Sequence, residues 1–306
     1  MKRALECVEA SFRAQHEGQS MVHPRHRIFL PSLSFHYMAA ALPESKVLGM
    51  KVYTSSRAGY RFFVLLYDAE SGELLAMMEA DQLGRIRTGA ASGVATKYLA
   101  RSEARSMASI GAGRQARTQL EAVSLVRALE GVRVFSRNRE KLGQFCREMQ
   151  DRLQLEVSPA ASVEEAVRFG DIVSTATNSR EPVLQGEWLR AGAHVNAIGA
   201  NLADRRELDD AALRRASLVA VDLLDQAKKE AGDLILGLAS LPHGWKDVCE
   251  LQEIVGGARA GRNSADEVTI FKSSGIALWD VAVAKEVYAQ AMAQSRGRSL
   301  ELSPSA

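Results

Sequence analysis

The feature that most constrains the fold of this chain is a glycine turn between an apolar run and a helical pattern. Residues 107–110 form a short apolar run, and Gly111 and Gly113 follow it directly. Beyond the turn, apolar side chains recur at the spacing of one helix face as far as Val123. A strand that ends in a glycine turn and leads into a helix is the repeating unit of α/β sheets, so we expect the chain to contain one.

The same turn has the residues of a dinucleotide site. Gly111 allows a tight turn, and Gly113 lets the backbone approach a pyrophosphate. The helix that starts at Arg114 and Gln115 would offer unpaired N–H groups and a partial positive charge to the phosphates. A plain strand–helix turn would show the same glycine spacing. The strand that follows at the expected distance favours the nucleotide site.

The end of that second strand, at residues 132–136, carries information on the cofactor. An Asp or Glu at this point would bind the ribose 2′-hydroxyl of NAD, but Ser136, Arg137 and Asn138 stand here. A guanidinium suits a 2′-phosphate, which a carboxylate would repel. The residues therefore predict NADP(H) in preference to NAD(H). The alternative is that Arg137 is only a solvated loop charge.

Strands and helices alternate regularly through the middle of the chain. Strands are expected at residues 107–110, 132–136, 154–157, 171–175, 194–198 and 218–222, with helices between them. This alternation predicts an α/β fold with a Rossmann-type doubly wound parallel sheet. Ligands bind beyond the carboxyl ends of such strands. The cofactor-binding loops are therefore expected to include Ala176, Thr177, Ile198 and Gly199.

Both ends of the chain show a different pattern. Before residue 104 we expect a helix at 4–15, strands at 46–55, 61–67 and 74–79, and a small-residue helix at 88–101. Near the end we expect a strand at 267–271 and a long alanine-rich helix at 274–293 that returns to the first unit. The Rossmann domain, residues 104–264, is therefore expected to be inserted in a discontinuous α+β domain of residues 1–103 and 265–306.

Composition excludes several classes of function. Lys plus Arg number 39 against 37 acids, and no basic stripe is interleaved with aromatic residues, so no nucleic acid partner is predicted. The sequence contains no run of about 18 apolar residues, so no membrane span is predicted. The six histidines form no cluster with ligand spacing, so no metal is predicted. Three scattered cysteines and no signal-peptide pattern lead us to expect a cytoplasmic protein.

Several segments together resemble the ornithine cyclodeaminase/mu-crystallin family. They are residues 48–52, 85–92, 111–116, 194–200, 230–233 and 269–273, and the resemblance covers roughly residues 20–290. It implies a nucleotide domain with a substrate-binding and dimerisation domain built from both chain ends, and hence a homodimer. It also implies hydride transfer at the α-carbon of a small amino acid or of the corresponding imine.

The resemblance also assigns residues to the site. It implies that Arg25, Lys51 and Arg87 hold the substrate carboxylate, and its motifs add Thr88 and Lys272 as cofactor contacts. The chemistry fits, because a guanidinium can grip a carboxylate in two places, and a desolvated lysine adds charge and can donate a proton. Taken singly, Arg25 could be surface charge, and Arg87 could lie near a phosphate.

One departure from the family pattern bears on the reaction. The cyclodeaminases have a proton-transferring Asp where this chain has Asn201, and an amide cannot act as a general acid or base. Asp204 could substitute only if it reached the site. Reduction of a ketimine needs fewer proton transfers than ornithine cyclisation, because the iminium can arrive protonated. We therefore expect a reductase of a cyclic imino acid.

Other functions remain open at this stage. The first alternative is an ornithine cyclodeaminase or an amino-acid dehydrogenase that works from the oxidised cofactor, NAD. The second is a member that binds ligands without catalysis. The ring size of the substrate is not encoded in any pattern that we find.

Overall fold

The computed structural model describes residues 1–300, so the last six positions of the expected unit 265–306 lie outside the described residues. The chain begins with helix α1, Lys2–His16. A five-stranded antiparallel sheet follows, in which each strand pairs with the next. Its strands are β1 (Met21–Phe29), β2 (Leu33–Leu42), β3 (Val47–Ser56), β4 (Gly59–Asp68) and β5 (Leu74–Glu79).

The two faces of this sheet differ because side chains alternate along each strand. Met38, Lys51 and Val64 are cross-strand neighbours on the inner face, and all three are buried. Their outer counterparts are only half-buried or exposed. The inner face packs in one hydrophobic cluster with helices α2 (Asp81–Leu99) and α10 (Ala277–Ala293).

The second sheet has eight strands, and all of its pairings are parallel. Its strands are β6 (Ser106–Ile110), β7 (Gly131–Phe135), β8 (Glu156–Pro159), β9 (Ile172–Thr175), β10 (His194–Ala197), β11 (Ala216–Val221), β12 (Val248–Glu250) and β13 (Val268–Lys272). The spatial order is β12-β11-β13-β10-β9-β6-β7-β8. The chain winds outward from β6 through β8 and then continues on the other side at β9, so β6 and β9 flank the switch point where ligands bind in such sheets.

Helices cover both faces of the eight-stranded sheet. They are α3 (Arg114–Val126), α4 (Arg139–Leu153), α5 (Val163–Phe169), α6 (Asp210–Arg215), α7 (Leu224–Glu230), α8 (Gly232–Gly237) and α9 (Leu251–Val255). Met107 packs in one cluster with side chains of α3 and α4, and its neighbour Ala108 packs in another with those of α5 and α6. The predicted doubly wound parallel sheet is therefore confirmed.

Three expectations need correction. Strand β13 lies in the middle of the eight-stranded sheet, so the boundary at residue 265 assigns it to the wrong unit. Helix α2 begins at Asp81 rather than at residue 88, and it runs through Gly84 without a break. A Cβ at Gly84 would lie 3.0 Å from Lys51 Nζ, so the glycine provides space rather than a helix end. Helix α10 begins at Ala277 rather than at 274.

Strand β1 was not predicted because its sequence shows no simple alternation. It contains Pro24 and several basic residues, and its pairing with β2 shifts in register between His23 and His26. Such irregularities are typical of edge strands. Among residues 1–300, no helix is both long and apolar enough to cross a membrane.

Candidate active site

A cavity of about 410 Å³ lies between the two sheets. Its walls on one side come from the inner face of the five-stranded sheet and from α2. On the other side lie residues that follow four neighbouring strands of the parallel sheet: Gly113, Arg114 and Gln115 after β6, Ala176, Thr177 and Asn178 after β9, Ile198, Gly199 and Asn201 after β10, and Ser273, Ser274 and Gly275 after β13. The cavity therefore lies at the carboxyl ends of the strands, as the fold predicts.

Lys51 and Arg87 face this cavity side by side. Lys51 Nζ donates to Asp280 Oδ1 at 2.9 Å, and Arg87 Nε donates to the same oxygen at 3.1 Å. Burial lowers the pKa of Lys51 to about 8; Asp280 opposes this shift and Arg87 adds to it. At neutral pH the Lys51 ammonium is thus charged, and its pKa is close enough to neutral pH for the group to give up a proton.

Arg25 also lines the cavity, but its guanidinium is strongly engaged. One terminal nitrogen pairs with Glu230, and the other donates to the carbonyls of Ser274 and Gly275, each at 3.0 Å. It is the buried residue of β1 and lies within the register shift of that strand, between His23 and His26. Arg25 thus joins the edge of the five-stranded sheet to the loop after β13, as well as adding positive charge to the cavity.

An apolar wall lies beside these cations. It is formed by Met38, Tyr53, Tyr60 and Phe62. The Tyr53 ring stacks on His36 with centroids 4.2 Å apart, and Lys51 Nζ lies 5.2 Å from the centre of the Phe62 ring. Such a wall suits the aliphatic part of a small substrate.

The glycine turn has the geometry that the sequence predicts. Gly111 has a φ of +112°, and a Cβ there would lie 2.6 Å from the carbonyl oxygen of Ala176. A Cβ at Gly113 would meet nothing within 4 Å, so this position leaves room for a ligand. Helix α3 starts at Arg114 with no side-chain cap at Gly113, so its first N–H groups are free to bind an anion.

The loops after β9 and β10 are held by a buried carboxylate, Glu207. Its oxygens accept hydrogen bonds from the Thr175 hydroxyl at 2.9 Å, from the N–H of Gly199 at 2.7 Å, and from the N–H and hydroxyl of Thr177, each at 2.7 Å. Asp233 in turn accepts from the backbone N–H of Glu207 at 2.6 Å. Burial and Asp233 raise the pKa of Glu207.

Lys272 belongs to this buried network and does not line the cavity. Its ammonium lies 3.0 Å from Asp233 Oδ2 and donates to the carbonyls of Ala197 and Ala200. The expected direct contact of Lys272 with a cofactor therefore has no support in the geometry. The residue instead fixes the loop after β10, of which Ile198 and Gly199 line the cavity.

The residues after β7 also lie outside the cavity wall. Asn138 caps α4 by accepting from the N–H of Lys141 at 2.9 Å, and Ser136 is half-buried. Arg137 is exposed, and it has no hydrogen-bond or ion-pair partner within residues 1–300. Because β7 is the neighbour of β6, these residues lie beside the strand that ends in the glycine turn.

Thr88 and Asn201 both line the cavity. The Thr88 hydroxyl donates to the carbonyl of Gly84 at 2.7 Å, and the carbonyl of Asn201 accepts from Arg27 at 3.0 Å. Asp204 is exposed and lies outside the cavity wall, so it does not replace the missing carboxylate.

A family comparison agrees with this geometry. The family model described as ornithine cyclodeaminase/mu-crystallin family matches residues 1–295. The chain belongs to this family. Among curated members, a Δ(1)-pyrroline-2-carboxylate reductase of Bacillus cereus (strain ZK / E33L) is 37% identical over 265 residues, which cover 86% of this chain and 79% of that protein. The ketimine reductase mu-crystallin of Rattus norvegicus is 35% identical over 266 residues, which cover 86% and 81% of the two chains.

Solved structures of similar enzymes share the whole fold. The Δ(1)-pyrroline-2-carboxylate reductase of Thermococcus litoralis, in complex with NADH and L-proline, has a TM-score of 0.94 at 36% identity, with 98% of this chain and 96% of that chain covered. An archaeal alanine dehydrogenase dimer with bound NAD has a TM-score of 0.93 at 34% identity, with 98% and 94% covered.

Sequence reasoning missed several residues of this family member's site. Tyr53, Tyr60 and Phe62 follow the two-residue period of β3 and β4 on the face of Lys51, so that period could have indicated them. Asp280 and Glu207 gave no such signal. They reach the site from helix α10 and from a loop, and only the folded chain brings them there.

Proposed function

We propose that this protein reduces a cyclic ketimine with a carboxylate next to the imine carbon to the corresponding amino acid, using a reduced pyridine nucleotide. The observation that carries the proposal is the placement of Lys51 and Arg87 in one cavity with the glycine turn and the start of α3. The cations suit a substrate carboxylate, and the turn suits a pyrophosphate. Two kinds of relatives, the Δ(1)-pyrroline-2-carboxylate reductases and the ketimine reductase mu-crystallin, are named for the reduction of such compounds.

The residues of the turn fit a pyridine nucleotide. The space at Gly113, the uncapped start of α3 and the strand ends at the switch point match what a dinucleotide requires. When bound, the nucleotide would supply a hydride to the imine carbon. Gly113, Arg114 and Gln115 would hold its phosphates, and Ala176, Thr177, Ile198 and Gly199 would line the path to the substrate.

Arg87 and Lys51 would orient the substrate by its carboxylate. The terminal nitrogens of Arg87 have no hydrogen-bond partner within residues 1–300, so the planar edge of the guanidinium is free to form two parallel bonds. Holding the carboxylate fixes the adjacent carbon, which is where hydride adds. Arg25 would add to the positive field.

Lys51 would also supply the proton that the imine nitrogen gains. Reduction adds a hydride to carbon and a proton to nitrogen, and the ammonium becomes a neutral amine that regains its proton from water. A pKa of about 8 makes this transfer easier than from an ordinary lysine. Asn201 then needs no acid–base role.

The charges of the cavity disfavour ornithine as the substrate. Among the cavity-lining residues of the described chain, the only carboxylate is Asp81, which is paired with Arg85 and Arg114. The second ammonium of ornithine would therefore find no free carboxylate, whereas the ring methylenes of a cyclic imino acid would contact the apolar wall. This supports reduction over cyclodeamination.

We further propose that NADP(H) is preferred to NAD(H). No carboxylate stands at the end of β7, and the exposed Arg137 is free to meet a 2′-phosphate. The two solved relatives contain NADH and NAD. A direct comparison of NADPH with NADH therefore decides this point.

We also propose that the protein is a homodimer formed through the outer face of the five-stranded sheet. Cross-strand neighbours on this face include Ala39, Met50, Leu65 and Met77. Within residues 1–300 none of these four side chains belongs to a hydrophobic core cluster, and Met77 is 58% exposed. A contiguous apolar sheet face that is left exposed is typical of a protein–protein interface.

The deciding experiment measures loss of reduced-cofactor absorbance on addition of Δ1-pyrroline-2-carboxylate or Δ1-piperideine-2-carboxylate, with NADPH and NADH compared. We expect turnover with at least one ring size, and faster turnover with NADPH. If neither compound is reduced, while ornithine or alanine with NAD releases ammonia, the proposed reaction is wrong and the oxidative alternative holds. Cofactor binding without turnover on any of these compounds would point to a non-catalytic member.

A further inference from the structure

Asp280 lies at the point where three elements meet. It is in the first turn of α10, its side chain is fully buried, and its Oδ1 accepts from Lys51 on β3 and from Arg87 on α2. The other oxygen, Oδ2, has no hydrogen-bond partner among the described residues. One carboxylate oxygen therefore fixes the relative positions of the two cations that face the cavity.

The contact also decides which edge of Arg87 faces the cavity. Asp280 takes the Nε donor, so the two terminal nitrogens stay unpaired within the described chain. The guanidinium lies 5.7 Å from the ring of Trp279, the residue before Asp280. Gly275 leaves space beside it, because a Cβ there would lie 2.5 Å from Arg87 Nη1. The short segment 275–280 thus contacts the Arg87 guanidinium through three of its residues and holds its orientation.

The charges of the trio are not balanced without a ligand. Lys51 and Arg87 contribute two positive charges and Asp280 one negative charge, all in a buried setting. A buried surplus charge is unfavourable, and a second carboxylate would neutralise it. Asp280 thus offsets part of the repulsion between the two cations. The remaining positive charge suits one anionic group.

We propose that Asp280 is a positioning residue that holds Lys51 and Arg87 as a ready-made receptor for the substrate carboxylate. The inference rests on the proposed function for the identity of that substrate. Asp280 itself does not line the cavity, and it would act through the geometry and charge of its two partners. Its loss should therefore weaken substrate binding more than cofactor binding.

The same contact has a consequence for pH dependence. The charged groups that face Lys51 from the packed elements are Asp280 on α10, Arg87 on α2 and Arg25 on β1. Burial and the two arginines lower the pKa of Lys51, and Asp280 raises it. Removal of the Asp280 charge should move the pKa of Lys51 below its value of about 8. The alkaline limb of kcat/KM should then shift to lower pH.

The test uses Asp280→Asn in the full chain, with Asp171→Asn as the matched control. Asp171 is a largely buried acid that pairs with Arg101 outside the cavity, so its loss reports general structural damage. For Asp280→Asn we expect the KM of the imino acid to rise about tenfold or more, as when one partner of a buried charge pair is removed. The KM of the cofactor should stay within about twofold, and the alkaline limb should move to lower pH.

Asp280→Glu separates geometry from charge. It keeps the negative charge but moves the oxygen by one methylene, so the KM of the imino acid should rise without the downward shift of the alkaline limb. This variant also serves if Asp280→Asn fails to fold by circular dichroism. An unchanged KM and an unchanged pH profile in a folded Asp280 variant would overturn the inference.

A binding measurement keeps the inference distinguishable from the proposed reaction. Pyrrole-2-carboxylate, a flat carboxylate with no reducible imine, is titrated calorimetrically into each variant. Tighter binding to wild type than to Asp280→Asn would support the positioning role even if no imino acid is reduced. Equal binding would contradict it. Wild-type turnover in the absorbance assay separately decides the reaction.

Discussion

At the residue scale, the behaviour of the candidate site depends on the charge state of a few buried groups. Lys51 is 3% exposed, so removing its ammonium from water lowers its pKa to about 8, and Asp280 limits this shift. A group whose pKa is raised or lowered toward the working pH becomes a useful general acid or base. In the proposed reaction, Lys51 can therefore act as a proton donor, whereas an ordinary lysine would remain fully charged near neutral pH.

The rate of imine reduction should fall as pH rises through about 8, because Lys51 loses its proton there. Lys51→Met should lower kcat/KM by about a hundredfold or more and remove this limb. Lys51→Arg keeps the positive charge but cannot titrate in this range, so it should bind substrate while losing the limb. The measurement is the pH profile of kcat/KM between pH 6 and about 10. An unchanged limb in Lys51→Met would assign it to another group.

Arg137 should control the choice of cofactor. Arg137→Ala should raise the KM of NADPH by about tenfold, since a charge-assisted bond to the 2′-phosphate is lost, and should leave the KM of NADH nearly unchanged. Arg147, a charged residue on α4 outside the cavity wall, provides the control Arg147→Ala. Equal changes in the KM of NADPH and of NADH would contradict a contact between Arg137 and the 2′-phosphate.

At the scale of elements, the cofactor loops depend on a carboxylate that the loops themselves bury. Glu207 accepts four hydrogen bonds, one from the end of β9 and three from the segments after β9 and β10. Asp233 holds the Glu207 backbone and pairs with Lys272 on β13. The loops are thus fixed to three strands of the parallel sheet, which gives the nucleotide a rigid surface to bind.

Glu207→Gln should loosen these loops. The amide group would bring an N–H donor against donors that now share a carboxylate, which costs about 1–3 kcal/mol. We expect a lower free energy of unfolding in urea by this amount and a higher KM for the cofactor, with a smaller change in the KM of the imino acid. Glu140→Gln, at an exposed position of α4, is the control. A pure loss of stability with unchanged cofactor KM would limit Glu207 to a structural role.

At the scale of the whole molecule, the cavity is built from segments that are far apart in the chain. The five-stranded sheet supplies Lys51, the helix after it supplies Arg87, and α10 near the end of the described chain supplies Asp280. The outer face of the same five-stranded sheet remains apolar and half-exposed. One sheet thus carries the proposed substrate site on one face and the proposed dimer interface on the other.

Light scattering should give a mass of about twice the 33.3 kDa of one chain. Leu65→Arg, in the middle of the outer face, should shift the protein toward the monomer, because an interface cannot bury an unpaired guanidinium without a large penalty. Leu125→Arg is the control, since Leu125 is 52% exposed on α3 and lies outside this sheet. A wild-type monomer, or a Leu65→Arg variant of unchanged mass, would refute the proposed interface.

Local spacing in the sequence was sufficient for much of this protein. The glycine turn and the β/α alternation predicted the parallel sheet, because strand and helix periods are written in neighbouring residues. Family motifs indicated Arg25, Lys51, Arg87 and Asn201, and all four line one cavity.

Contacts between distant residues were decided only by the tertiary structure. Asp280 meets Lys51 and Arg87 across 229 and 193 residues of sequence, and no local pattern encodes such a pairing. Lys272, expected at the cofactor, is buried against Asp233, because β13 lies in the middle of the sheet rather than with the first unit. Sequence alone thus determined most of the elements and the charged residues. Strand order and register decided which of these charges meet, since electrostatic and hydrogen-bond energies depend on distances of a few ångströms.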